Sequence, residues 1–241
     1  MIYSFLQNAD TAITVSFKNE ISKEVNENVS SFTAAAEAEN IRGVIEYIPA
    51  FSSVTVVYNP CVISSARLKR RLKGILKHLK ASSSFTPVLY EIPVCYDGEF
   101  APDMSNVINH TGLTKEEIIS LHSGRDYLIY MLGFLPGFAY LGGMDSRLST
   151  PRLETPRLEI TGGSVGIGGD QTGIYPVSSP GGWQLIGKTP VQVYRKGSEN
   201  PILYRAGDYI RFVPVSDQEY TEIEKKVALG EYEIKGQEVN R

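Results

Sequence analysis

Hydrophobic positions along this chain change period several times, and each change predicts an element. Residues 11–17, 43–50 and 53–59 carry short β-rich apolar runs that read as strands, and residues 21–38 read as a helix. Across residues 64–81 the apolar side chains Leu68, Leu72, Ile75, Leu76 and Leu79 recur at helical intervals, which predicts an amphipathic helix. A further strand at 86–93 completes the order βαββαβ. That order predicts a ferredoxin-like sandwich over roughly the first ninety residues, with the last strand alternatively leading into a second domain.

Beyond it, Tyr96-Asp97-Gly98 signals a turn and residues 104–109 a short helix. Thr114-Lys115-Glu116-Glu117 is a capping box opening a second helix that His122 and Gly124 close. From Asp126 the texture shifts, because 13 of the 22 glycines and five of the 13 prolines fall between positions 133 and 187. Short apolar runs interleaved with such residues predict β-strands joined by tight turns, or a partly closed barrel. Strands are expected at 191–194 and 209–213, then a helix started by the capping box Ser216-Asp217-Gln218-Glu219 and running to Ala228. The predicted class is α+β: a small ferredoxin-like N-terminal α/β domain over 1–85 and a β-barrel domain over 86–241.

Composition narrows the functional classes. With 241 residues, 42% hydrophobic and 21% charged, the chain can bury a core without staples. Two cysteines, Cys61 and Cys95, and three scattered histidines, His78, His110 and His122, support neither a disulfide scaffold nor a metal cluster, so no metal is expected. The N-terminus lacks a signal-peptide pattern and the uncharged stretch 127–144 is broken by Gly and Pro, so a cytoplasmic protein without membrane contact is expected. Net charge is -3, yet residues 64–81 hold seven Lys and Arg and no acid. The acidic whole argues against nucleic-acid binding, and the basic helix face reads as solvated rather than as a surface for an acidic partner.

Two motif matches fail on context. Residues 182–189 satisfy G-x-x-x-x-G-K-[ST], but an extended run follows where a P-loop needs a helix. Residues 162–166 satisfy G-x-S-x-G, but no histidine follows Ser164 to complete a hydrolase triad. The informative feature is the set spread over 133–190. Phe138 and Tyr140 sit in a Gly- and Pro-rich segment, Pro151-Arg152 and Pro156-Arg157 set two guanidinium forks five residues apart, and Gln171, Tyr175, Ser179, Gly181, Gly182 and Trp183 add amide, hydroxyl and aromatic groups. Together they suggest a binding surface for a carboxylate or phosphate.

These residues, with Ile92-Pro93-Val94-Cys95-Tyr96, Gly112 to Glu117, Leu121-His122, Gln171 to Pro176, Ile186 to Pro190 and Gly207-Asp208, resemble the family that contains the 5-oxoprolinase B subunit, the kinase inhibitor KipI and the allophanate hydrolase subunit 1 domain. The resemblance implies a cyclophilin-like fold for the barrel. It implies an ATP-dependent opening of 5-oxo-L-proline to L-glutamate, with ATP and Mg2+ bound in an assembled complex with subunits A and C. On that resemblance His122 is the candidate for proton transfer, Arg152 and Arg157 for the anion, and Phe138, Tyr140, Gln171, Tyr175, Ser179, Gly181, Gly182, Trp183 and Lys188 for substrate. Lys188 departs from the arginine common in the family at that position, and a point charge there is weaker than a bidentate fork. The alternative implied is inhibition of a sporulation-type histidine kinase's autophosphorylation. A urea-carboxylase-type carboxyltransferase part is a third reading.

Overall fold

The computed structural model describes residues 2–19, 22–79 and 86–239. The chain divides into two compact units, Met1–Phe85 and Thr86–Arg241. In the first, β1 (Ser4–Gln7), β2 (Ala12–Ser16), α1 (Lys23–Ala38), β3 (Val44–Pro49), β4 (Ser53–Tyr58) and α2 (Ser65–Lys77) form an antiparallel sheet, order β1-β2-β4-β3, and two helices. Ser22 and Ser64 cap the helices by accepting hydrogen bonds from the amides of Val25 and Arg67. Alternation along β2 and β4 sends Ile13, Val15, Val54, Val56 and Tyr58 into one buried cluster with Val29 and Phe32 of α1 and Leu68 and Leu72 of α2.

This is the ferredoxin-like arrangement with one substitution. The expected fourth strand does not join this sheet; β1 takes its place beside β2, with Phe5 opposite Val15. Residues 86–93 instead supply β5 (Val88–Cys95) to the second unit. Strand β1 carries only four residues, two of them polar, so the sequence pattern did not predict it. The predicted positions Ile21, Lys80 and Ala81 lie outside the described residues.

In the second unit α3 (Met104–Thr111) and α4 (Lys115–Ser123) follow β5, and both halves of the predicted Thr114–Glu117 capping box are formed. Then come β6 (Tyr127–Leu132), β7 (Ala139–Gly142), β8 (Arg157–Ile160), β9 (Ser164–Gly168), β10 (Gln171–Ile174), β11 (Ser179–Gly181), β12 (Gln184–Lys188), β13 (Tyr209–Val215), α5 (Asp217–Ala228) and β14 (Gln237–Glu238). The sheet runs β10-β9-β12-β5-β13-β6-β7, with β14 pairing the start of β5, while β8 and β11 make a separate two-stranded ribbon. Its ends nearly close: a methyl group on Gly173 of β10 would lie 3.3 Å from the Ala139 carbonyl oxygen of β7. The result is the expected barrel-containing α+β fold. Residues 191–194 form no strand, contributing only an isolated bridge from Tyr194 to Ile202. No helix among the described residues is long and apolar enough to cross a membrane.

Candidate functional site

The hairpin β9–β10 explains the glycine pattern that stood out in the sequence. Val165, Ile167 and Ile174 face the barrel core, so Gly166, Gly168 and Gly173 share the opposite face and leave it without side chains. Trp183 occupies that bare surface. A methyl group added at Gly168 would sit 2.6 Å from the indole Cδ1, and one at Gly173 would sit 3.3 Å from Cζ3. Gln171, opposite Gly168 in the ladder, shares this face and is half-buried. Gly168→Ala is therefore expected to lift the indole and lower stability by about 1–3 kcal/mol, the range for overpacking. Because Trp183 is the sole tryptophan, its fluorescence during denaturant unfolding measures both effects.

Around the indole stand Phe138 at 5.6 Å and Tyr175 at 6.1 Å between ring centroids, both edge-to-face, and Tyr140 lies 5.2 Å from Phe138. The Arg152 guanidinium lies 5.8 Å from the centroid of the Trp183 ring. Burial pushes the Tyr175 phenol up, while a hydrogen bond from the Trp183 backbone and the nearby charges of Arg152 and Arg157 oppose that rise. Both forks are thus close enough to be felt at one hydroxyl. Gly181 lets the ribbon rest on Tyr175, since a methyl group there would meet its hydroxyl at 2.6 Å. The Gly182 carbonyl accepts from the Leu153 amide at 2.7 Å, tying the ribbon to the segment that carries Arg152.

Arg157 starts β8 directly opposite Gly181. Its Nη2 donates to Asp103 Oδ1 at 2.7 Å, whereas its Nη1 is buried without a hydrogen-bond partner. Ser179 Oγ, on the paired strand and 8% exposed as a residue, is also buried and unpartnered. Among the described residues only one other buried side-chain atom is in that state, Nε of Arg125. Buried polar groups are normally satisfied, so these two atoms are the positions on the ribbon with unused hydrogen-bonding capacity.

Two of the expected residues lie elsewhere. His122 is fully buried and sits across β10 from the indole: its Nε2 meets Thr172 Oγ1 at 2.7 Å, and Thr172 faces the core while Gly173 faces Trp183. The Thr172 hydroxyl donates to the Gly166 carbonyl, so it accepts from Nε2–H. Nδ1 then accepts from the Tyr96 hydroxyl at 2.7 Å, and the ring stacks on Phe212 at 4.4 Å. Burial, with a smaller contribution from Arg125, lowers its pKa from 6.5 to about 3. The neutral imidazole, with both nitrogens engaged and no exposure, bridges α4 to Tyr96 and β10. Lys188, at the end of β12, lines another cleft of about 520 Å³ with Gly163, Tyr194, Tyr220 and Glu224, residues outside the aromatic cluster.

Sequence reasoning missed Asp103. Its Oδ2 accepts from the Leu185 amide at 2.7 Å and its own amide donates to the Leu185 carbonyl, so one buried carboxylate fixes both Arg157 and the start of β12. It precedes α3 at the usual capping position but makes no side-chain cap, so a helix-start reading hides its use. Gln184 was missed too; it donates to the Pro151 carbonyl and accepts from Asn106, steadying the backbone next to Arg152. The two failed motifs resolve as strands: residues 184–188 of the P-loop match are β12, and Ser164 opens β9 rather than a helix.

The chain matches the family described as carboxyltransferase domain, subdomain C and D, over residues 3–204. It is 44% identical over 228 residues to the 5-oxoprolinase B subunit of Bacillus subtilis (strain 168), covering 90% of this chain and 95% of that one. To the 5-oxoprolinase B subunit of Escherichia coli O157:H7 it is 41% identical over 174 residues, covering 71% and 78%. In structure it is similar to Kluyveromyces lactis urea amidolyase with a TM-score of 0.83 at 18% identity, over 98% of this chain and 16% of that much longer one, a likeness of fold alone.

Proposed function

Because this chain belongs to the carboxyltransferase domain family, subdomain C and D, and its 41–44% identical relatives are named as the B subunit of 5-oxoprolinase, we propose that it is that component of an ATP-dependent 5-oxoprolinase. In this reading it works with subunits A and C, and 5-oxo-L-proline is opened to L-glutamate. A lactam carbonyl is a poor electrophile, and ATP in the assembled enzyme would turn its oxygen into a leaving group. Residues 184–188 of the P-loop match are paired as strand β12 rather than wrapped as a loop. In this reading the chain contributes its chemistry at the ribbon. Arg157 and Arg152 hold the substrate carboxylate, Ser179 donates to it, and Trp183, Tyr175 and Phe138 give the ring an apolar floor that excludes water.

The observation that carries this reading is the pair of unpartnered buried atoms, Arg157 Nη1 and Ser179 Oγ, on one ribbon beside the aromatic cluster. The test is reconstitution with the cognate A and C subunits, each omitted in turn, while 5-oxoproline-dependent glutamate and phosphate are measured. Both products should vanish without this chain. Undiminished turnover in its absence overturns the assignment.

A further inference from the structure

The N-terminal unit holds a second cleft, of about 530 Å³, that the oxoprolinase reading leaves unused. Two turns build it. The α1–β3 turn brings Asn40, Ile41 and Arg42, and the β4–α2 turn brings Cys61, Val62 and Ile63. They are pinned together: the Asn59 amide donates to the Gly43 carbonyl at 2.8 Å, the Cys61 amide to Asn59 Oδ1 at 2.9 Å, and the Ile63 amide to the Asn59 carbonyl at 3.1 Å. Gly43, at φ 99°, permits the close approach, since a methyl group there would lie 2.8 Å from Ile63 Cγ2. The cleft is thus a fixed feature of the unit.

Its charge is one-sided. Arg42, Arg67 and Arg71 line it, and among the described residues the ion pair made by these three is Arg71 with Glu39 at 3.1 Å, both side chains 52% exposed. An ion pair so exposed is weak and is readily exchanged for a better anion. Neither Arg42 nor Arg67 makes an ion pair among the described residues. Arg67 also stands in the first turn of α2, which holds no acidic residue and where a cation is unfavourable to the helix dipole. Three guanidinium groups against one carboxylate leave an excess of two positive charges. A monocarboxylate satisfies one fork and one charge, whereas a phosphomonoester brings about -1.5 to -2 charges and three acceptor oxygens. The volume exceeds that of a bare phosphate and falls within the roughly 300–1,000 Å³ of small-ligand sites, and Val62, 47% exposed, offers apolar surface beside the buried Ile41 and Ile63.

We propose that this cleft binds a small organic phosphomonoester, with Arg42, Arg67 and Arg71 on the phosphate and Val62 against the organic part. The site lies wholly within the N-terminal unit and stands whether or not the oxoprolinase reading holds. Cys61, exposed and lining the cleft, provides its readout, and buried Cys95 serves as a control for folding. The purified full chain would be alkylated with iodoacetamide at low ionic strength with adenosine 5′-monophosphate as probe. Adenosine, inorganic phosphate and citrate serve as comparisons, and binding is followed in parallel by calorimetry. The expected result is that the nucleotide slows Cys61 alkylation at least ~fivefold while adenosine leaves it unchanged, with affinity falling as salt rises. Substituting Arg42→Ala and Arg67→Ala together should weaken binding by at least ~tenfold with Cys95 still protected. Absence of Cys61 protection at about 10 mM nucleotide overturns the proposal, as does protection that survives the double substitution or is matched by citrate. Inorganic phosphate protecting as strongly as the nucleotide overturns the role given to Val62.

Discussion

Lowering the pH from 7 to 4 is expected to remove on the order of 3 kcal/mol of folding stability through His122 alone. The imidazole is neutral in the folded protein, where burial lowers its pKa from 6.5 to about 3. In the unfolded chain it takes up a proton near pH 6.5. The unfolded state therefore binds more protons than the folded one between those values, so the stabilisation is complete above about pH 6.5 and is lost as the pH falls towards 3. The groups packed on the ring reinforce the sign: Arg125 repels the cation, and Tyr96, Tyr127, Thr172 and Phe212 provide no counter-charge. Asp145, Glu117 and Glu219 are also held below the ordinary carboxylate range by hydrogen bonds, and their protonation adds to acid lability. A non-titrating control separates the contributions. In His122→Gln the amide can still accept from Tyr96 and donate to Thr172, so denaturant unfolding at pH 7, 5.5 and 4 should show a clearly shallower loss than the parent. Parallel slopes in the two proteins would show that His122 is not the group responsible.

The same residue illustrates where the sequence stops being legible. A histidine in the last turn of a capped helix has an evident local role towards the helix dipole, and nothing in its neighbours reveals that the helix lays it against Phe212 beneath the barrel. Local signals were read well because they act over a few residues: the capping boxes at Thr114 and Ser216, the basic amphipathic helix α2, and the extended nature of the P-loop match. Placement of 86–93 depended on which sheet it joins, a long-range competition that β1 wins in the first unit. At the candidate site, Phe138, Arg152, Tyr175 and Trp183 stand out in the sequence by their density among glycines. The structure supplies the reason for that density, an indole laid on bare backbone. Asp103 could not be found that way, because its partners Arg157 and Leu185 are distant in sequence.

Replacing Arg157 with alanine is expected to lower kcat/KM for 5-oxoproline in the assembled enzyme by about 10–100-fold, the worth of a charge-assisted hydrogen bond of ~1.5–3 kcal/mol. The loss should appear mainly in KM for 5-oxoproline, with KM for ATP unchanged, if the guanidinium holds the substrate carboxylate in both ground and transition states. Arg157→Lys should recover little, since an ammonium cannot keep one fork on Asp103 and offer the other to an anion. Truncation also leaves the Asp103 carboxylate, 4% exposed, with only the Leu185 amide, so some stability will be lost with the activity. Asp103→Asn separates the two effects. It leaves the arginine and its charge in place and removes the carboxylate that orients it, so KM should rise although the guanidinium is still present. Equal Trp183 fluorescence and unfolding midpoints in Arg157→Lys and the parent would show the site intact. Turnover within about twofold of the parent in folded Arg157→Ala and Arg157→Lys would then exclude the ribbon as the anion site. Since Arg152 approaches the indole from the exposed side, Arg152→Ala should cost less than Arg157→Ala: a solvated fork is worth less than one whose free nitrogen is buried and unpaired.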